Sequence, residues 1–368
     1  MNESLTKAFF EKTLDLARKG WGNTHPNPMV GAIIVEKEKT VAEGYHRKAG
    51  FPHAEVEAIQ ALGRRPNEDS SIFISLEPCS TSGRTPPCVN AIMESGIKRV
   101  YVGATDPNPS HAGRGIEILR KSGVRVEMAG IEFQKEITRL NFIFNHNMNS
   151  GSPLLALKIA ETSNGMLAEV KGKPSRITED AARADMMNWR RLFPAICVGS
   201  GTVLADNPTL TARLEEEIYC PIRLVLDSSL STLSESVLPR NLYSDQFASK
   251  TKILTVENGL RNSESVRNAK QLGITLIQVA EDSIGRIKLS EISRVLQDLE
   301  LNALYCEGGA KVAGSLLEKG LVDYLFRYRS PKSFDGPDSL LGPDLDGFSI
   351  NESIFKKLGE DSLEHGFT

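Results

Sequence analysis

The segment His53-Ala54-Glu55 sets an imidazole and a carboxylate two residues apart, and Pro78-Cys79 and Pro87-Cys88 supply two thiols further along the chain. Imidazole nitrogen and thiolate sulfur are donors that zinc prefers, and three such ligands leave a fourth tetrahedral position for water. A closed structural zinc site needs a fourth protein ligand, and the sequence offers none nearby. His53, Cys79 and Cys88 are therefore expected to hold a catalytic zinc. Glu55 is expected to be the proton shuttle that hydrolysis at an amidine-like carbon demands. H-x-E followed by P-C-x-x-C is the pattern of zinc deaminases that act on nucleobases. Here the second cysteine comes after "STSGRTPP", where that pattern has only two residues.

These residues need a scaffold. Apolar runs at 29–35, 40–46, 71–77, 98–106 and 124–130 predict strands, and helices are expected over 53–62, 88–95 and 115–122, after a first amphipathic helix in "MNESLTKAFFEKTLDLARKG". The alternation argues for a sandwiched, largely parallel sheet. The stretch "NFIFNHNMNSGSP" (141–153) is polar and ends in Pro, as a linker would, and divides the chain into domains expected at 1–146 and 147–368. A second α/β series follows. Its strands are expected at 154–160, 195–199, 222–227, 252–256, 274–279, 302–307 and 322–329, and its helices near 178–192, 289–299 and 310–319. From about Ser333 onward, Gly, Pro and Asp leave no readable element.

Composition narrows the class. The chain has 368 residues, 40% hydrophobic and 25% charged, with net charge −3. Those values describe a globular protein of two or so domains and disfavour a general nucleic-acid binder, so the expected partner is a small molecule. No apolar run is long enough to span a bilayer and the first helix carries acidic residues unlike a signal peptide, so a cytoplasmic protein is expected. Five cysteines do not form a disulfide framework, and Cys197, Cys220 and Cys306 sit in or beside apolar runs as small buried hydrophobes. A homo-oligomer is left open.

The second half has no GxGxxG fingerprint. It has two glycine turns after strands, Gly199-Ser200-Gly201-Thr202 and Glu307-Gly308-Gly309-Ala310, where backbone N–H groups can approach a phosphate.

The stretches "HPNPMVGAIIV", "HAEVEAI", "EPCSTSGRTPPC" and "DPNPSHAGRG" resemble, in order and spacing, the deaminase half of the bifunctional RibD family of riboflavin biosynthesis, whose two cysteines are separated by an extended loop. "LKIAETSNG", "GSGTVLADNPTLTAR", "RLVLDSS" and "CEGGAKVAGSLLEKGLVDYL" resemble its reductase half, so the resemblance covers nearly the whole chain. It implies an α/β protein with a cytidine-deaminase-like three-layer domain followed by a dihydrofolate-reductase-like domain, using Zn2+ and NADPH. It implies that Arg84, Thr85 and Asn27 meet a phosphoribosylated aminopyrimidine, while His46 and His111 take no zinc role. By the same resemblance Ala160, Thr202, Asp206 and Ser228 contact NADP, and Ser175, Arg190, Leu210, Arg213 and Glu307 contact the second substrate, with Lys158 as a further candidate. A ribose phosphate suits arginines, and Glu307 can accept from sugar hydroxyls or ring nitrogens.

Two positions depart from the family. Asn164 stands where an acidic residue is usual, and Arg176 where a Trp usually precedes the Ile-Thr pair; Arg176 is expected to compensate by meeting a phosphate. The activity implied is deamination of 2,5-diamino-6-(5-phosphoribosylamino)pyrimidin-4(3H)-one followed by NADPH-dependent reduction of the ribosyl chain to ribityl. The alternative is a deaminase with a binding-only C-terminal domain. A nucleic-acid base deaminase and an inactive zinc-stabilised regulator fit the acidic balance and the open ligand set less well.

Overall fold

The structure, a computed structural model, describes residues 2–81, 86–109, 111–345 and 347–368. The chain divides into two compact units, Met1–Ser152 and Pro153–Thr368, a few residues beyond the boundary expected at 146/147. The expected linker is not coil. Phe142–Ser150 forms a helix because Phe142 and Ile143 are buried, and the Asn147 amide ties its end by donating to the Ser152 carbonyl.

The first unit is a three-layer sandwich. Its helices are α1 (Glu3–Arg18), α2 (Ala54–Leu62), α3 (Cys88–Ser95), α4 (Arg114–Lys121), α5 (Ile131–Leu140) and α6 (Phe142–Ser150). Its strands are β1 (Gly31–Glu36), β2 (Lys39–Tyr45), β3 (Ser71–Leu76), β4 (Arg99–Ala104) and β5 (Arg125–Met128), in sheet order β2-β1-β3-β4-β5. Period-two alternation sends Ile34, Ile72, Ile74, Val100 and Val102 to one face, where α2, α3 and α4 cover them. Ile33, Phe73 and Tyr101 go to the other, under α1 and α5, with Phe73 and Tyr101 stacked at 4.2 Å. The sheet is mixed where a largely parallel one is expected: β1 runs antiparallel to both β2 and β3, and only β3-β4-β5 are parallel. The short turn between β1 and β2 makes a hairpin, whereas parallel neighbours need a crossover helix.

The second unit is built on a nine-stranded sheet. From one edge the strands are Thr275–Gln278, Thr251–Thr255, Ile222–Leu226, Ala195–Gly199, Ala303–Cys306, Leu154–Glu161, Tyr324–Arg329, Asp361–Phe367 and Asn351–Leu358. The first seven are parallel and the last two form an antiparallel hairpin that the sequence left unread. Helices Glu291–Asp298 and Ala310–Glu318 pack on one face with Leu157, Cys197, Leu224 and Cys306. Helix Asp180–Leu192 covers the other, where its Trp189 ring lies 4.7 Å from that of Phe326.

Candidate active sites in the two units

Local structure explains how three distant residues meet in the first unit. His53 is the N-cap of α2, yet its ring makes no cap hydrogen bond. It turns instead to the cysteines: Nδ1 lies 3.6 Å from Cys79 Sγ and 3.3 Å from Cys88 Sγ. Cys79 follows the carboxyl end of β3, and Cys88 opens α3, its backbone N–H donating to Cys79 Sγ at 3.3 Å. The three donor atoms lie within 4.8 Å of one another. Zinc–nitrogen and zinc–sulfur bonds of about 2.0 and 2.3 Å make tetrahedral ligand edges of about 3.5 Å, which the nitrogen–sulfur separations match.

The electrostatics agree with a cation. Hydrogen bonding from Cys88 and from His53 outweighs burial and holds Cys79 down at about 4, while Cys79 and burial push the Cys88 thiol far up. Two thiolates cannot share this pocket without positive charge between them. Glu55, in the first turn of α2, is 3% exposed and stands outside the ligand group. Burial pushes its carboxyl up to about 7, a range suited to taking and returning a proton.

His46 carries no ligand atom in this group; it orients a neighbour. Its Nδ1 lies 3.1 Å from the Pro52 carbonyl, which can only accept, so Nδ1 bears the proton. Nε2 then accepts from the Asn27 amide nitrogen at 3.1 Å, leaving Asn27 Oδ1 as an oriented acceptor. His111 touches Thr81 edge-on at 3.4 Å. Arg84 and Thr85 lie outside the described residues.

A residue that sequence reasoning passed over holds this region together. The Glu77 carboxylate accepts backbone N–H groups of Asp106 (3.2 Å), Gly113 (2.9 Å), Gly115 (2.9 Å) and Ile116 (3.2 Å), binding "DPNPSHAGRG" to the strand end that carries Cys79. Gly115 must be glycine, because a Cβ there would collide with the Pro78 carbonyl. The clue in the sequence was weak, an acid in the Glu77-Pro78-Cys79 stretch at a predicted strand end.

In the second unit five of the resemblance-derived residues lie at the carboxyl ends of adjacent parallel strands, where open α/β sheets bind ligands, while Arg190 is on helix Asp180–Leu192 and Arg213 on the short strand Ala212–Arg213. Ala160 and Lys158 belong to Leu154–Glu161, Thr202 follows Ala195–Gly199, Ser228 follows Ile222–Leu226 and Glu307 follows Ala303–Cys306. Arg190 donates to both Glu307 oxygens at 2.5 and 3.0 Å, and Lys158 Nζ lies 3.2 Å from Glu307. Burial alone would raise Glu307, but Arg190 and Lys158 win and hold it at about 2. Burial raises Asp206 although the Lys158 charge opposes it. Leu210 is 2% exposed with φ +53, an uncommon backbone for leucine.

Both serine hydroxyls accept a backbone N–H and keep their own O–H. Ser228 Oγ accepts the Ile287 N–H at 3.1 Å and Ser175 Oγ accepts the Glu169 N–H at 2.9 Å. Gly199 and Gly308 have ordinary backbone; a Cβ at either would meet Val312 at 2.8 or 2.7 Å, so close helix packing sets these glycines. Arg176 is exposed and paired with Asp180 at 2.8 Å and Glu179 at 3.6 Å. Asn164 donates to Asp335 at 3.1 Å, a contact an acidic residue could make only with a proton, which accounts for the departure there.

Two family descriptions match the chain, "Cytidine and deoxycytidylate deaminase zinc-binding region" over residues 3–104 and "RibD C-terminal domain" over residues 153–345. The riboflavin biosynthesis protein RibD of Bacillus amyloliquefaciens is 39% identical, with 94% of this chain and 90% of that protein covered. The chain belongs to the RibD family. Another RibD, from Escherichia coli (strain K12), is 35% identical over 92% of this chain and 89% of its own length. Among solved structures, Acinetobacter baumannii RibD superposes with TM-score 0.79 at 28% identity over 99% of both chains. A Thermotoga maritima structure, described as a diaminohydroxyphosphoribosylaminopyrimidine deaminase/5-amino-6-(5-phosphoribosylamino)uracil reductase, gives 0.80 at 29% identity over 98% of both. Because RibD relatives match along both halves, this chain is a riboflavin-biosynthesis enzyme with a deaminase and a reductase domain, and a binding-only C-terminal half is not favoured. Among the described residues no helix is long and apolar enough to cross a membrane.

Proposed function

We propose that the first unit deaminates 2,5-diamino-6-(5-phosphoribosylamino)pyrimidin-4(3H)-one and that the second reduces the ribosyl chain of the product to ribityl with NADPH. The convergence of His53 Nδ1, Cys79 Sγ and Cys88 Sγ beside a buried Glu55 carries the first half of this reading. Zinc held by those three residues supplies Lewis acidity that brings the pKa of water towards about 7. Glu55 takes a proton from the attacking water and returns it to the departing exocyclic nitrogen, which leaves as ammonia. Asn27, its amide fixed by His46, presents a carbonyl oxygen to a donor on the substrate.

In the second unit NADPH, when bound, supplies the hydride. Ala160, Thr202, Asp206 and Ser228 are the residues proposed to hold it; Ser228 Oγ accepts the Ile287 N–H and keeps its own O–H to donate. Lys158, Arg190 and Glu307 form a desolvated, oriented cluster for the substrate, and Arg213, Leu210 and Ser175 are the further residues proposed to contact it. Glu307, ionised throughout the physiological range, accepts from sugar hydroxyls or ring nitrogens and donates no proton.

The test is an assay on the purified chain with the diaminopyrimidine phosphoriboside, following ammonia and NADPH absorbance separately. Both signals are expected, ammonia first. Ammonia without NADPH loss would sink the reductase half alone; no ammonia from zinc-loaded protein would sink the deaminase half.

A further inference from the structure

Arg183, Met187 and Arg190 sit at i, i+4 and i+7 of helix Asp180–Leu192, so they share one flank of it. That flank looks onto residues 209–213. Arg190 donates to the Thr211 carbonyl at 3.0 Å, and Arg213 donates to Thr209 Oγ1 at 3.0 Å and Thr211 Oγ1 at 3.5 Å. Two guanidiniums, Arg190 and Arg213, thus meet residues 209–213, and Arg183 extends from the same helix flank about two turns earlier, about 10 Å from Arg190 along the axis.

Their partners differ. The Arg190 charge is taken by the Glu307 carboxylate. Arg213 has only neutral oxygens, and Arg183, exposed, makes no ion pair with any described residue. The acids at the start of the helix are already used, Asp180 by Arg176 and Glu179 by Lys332 at 2.6 Å. Burial lowers the pKa of Arg213, and repulsion from Arg190 and Arg183 lowers it further, which places Arg183 within electrostatic range. Like charges gathered without a counter-charge cost free energy unless an anion joins them. In a chain of net charge −3, with acids to spare elsewhere, that arrangement points to a ligand.

We propose that Arg183 joins Arg213 in binding the phosphate monoester of the reductase substrate, so that this pair sets the preference for a phosphorylated sugar. This deepens the reductase reading above and rests on it. Arg183 and Arg213 have no carboxylate partner among the described residues, whereas Arg190 is held bidentately by Glu307, which it shares with Lys158, so Arg183 and Arg213 are the pair placed to take a dianion. Arg183 also reaches the ligand from a helix, whereas Arg213 lies on the short strand Ala212–Arg213, so the two clamp it from different elements.

The test compares Arg183→Gln and Arg183→Lys with the unmodified chain in three arms. The first is the ratio of kcat/KM for the phosphorylated reductase substrate to that for its dephosphorylated form. It should fall about fivefold to tenfold in Arg183→Gln and recover in part in Arg183→Lys. The second is calorimetric binding of ribose 5-phosphate, which should weaken by a similar factor. The third is KM for NADPH, which carries a phosphate monoester of its own on the adenosine ribose. An unchanged phosphate ratio, or a change confined to the NADPH arm, overturns the proposal. If the unmodified chain consumes no NADPH, the reductase reading fails, and ribose 5-phosphate binding still decides the role of Arg183.

Discussion

Arg190 and Glu307, 117 residues apart in sequence, meet fork to fork with separations of 2.5 and 3.0 Å, and both side chains are almost wholly buried. A bidentate pair of this kind fixes orientation as well as charge. It ties helix Asp180–Leu192 to the carboxyl end of strand Ala303–Cys306 and leaves Lys158 as a second cation on the same carboxylate. The pair is therefore a fold element, and in the function proposed above it also orients the reductase substrate.

Stability should depend on pH through Glu307. Its folded pKa, about 2, lies below the usual 4.5, so the contribution is present above about pH 4.5 and is lost as pH falls from 4.5 towards 2. The size implied is about 3 kcal/mol. Glu307→Gln should remove most of this acid dependence, lower stability at pH 7 by about 2–4 kcal/mol because two cations stay buried, and abolish NADPH oxidation. Urea unfolding of the second unit at pH 3, 5 and 7 checks it; equal slopes with pH for both proteins would count against the pair.

What the sequence shows and what it hides follow from range. His53-x-Glu55 is local, and Cys79 and Cys88 each sit at an element end, so a metal site was legible without knowing the fold. Strand direction was not, because β1 alternates in the same way whether its neighbours are parallel or antiparallel. The hairpin of Asn351–Leu358 and Asp361–Phe367 escaped because its edge strand is exposed on both faces and carries no alternation. The helix Phe142–Ser150 escaped because its Asn- and Ser-rich residues have weak helix propensity and burial of Phe142 and Ile143 overrides it. Pairings such as Arg190 with Glu307, or Asn164 with Asp335, have no local signal at all; resemblance named Glu307, but only the fold shows what it touches.

Removing the metal should separate the two activities. A strong chelator, or Cys88→Ser, should reduce bound zinc from about one per chain to a small fraction, since a three-ligand set that loses a thiolate has little left to bind with. Ammonia release should stop while reduction of separately supplied deaminated substrate continues, because Lys158, Arg190 and Glu307 all belong to the second unit. Metal analysis alongside both assays checks this; loss of both activities on chelation would show that the reductase also depends on the metal.

Glu55→Gln should dissect chemistry from binding. The carboxamide keeps the size of the side chain but cannot carry a proton between water and nitrogen, so kcat for ammonia release should fall by about 10²–10⁴. Zinc content should stay at the unmodified level, since Glu55 is outside the ligand group. A variant that retained its kcat would remove Glu55 from the mechanism.

Glu77 gives the sharpest test of how the first site is held. Four backbone N–H groups of the 106–116 segment converge on a carboxylate that is 4% exposed, so Glu77→Ala leaves buried donors without an acceptor. Hydrogen bonds to a charged group contribute about 1.5–3 kcal/mol each, and the segment can relax to recover part of the loss, so a net cost of about 2–4 kcal/mol is expected. Glu77→Gln keeps one acceptor oxygen and should lie between the two. Because Glu77 is outside the ligand group of His53, Cys79 and Cys88, zinc should remain bound at pH 7, whereas KM for the deaminase substrate should rise as the segment bearing His111 loosens. A readout of stability alone would not distinguish a scaffold from a site; a rise in KM with zinc retained would, and an unchanged KM in a destabilised Glu77→Ala protein would confine Glu77 to the fold.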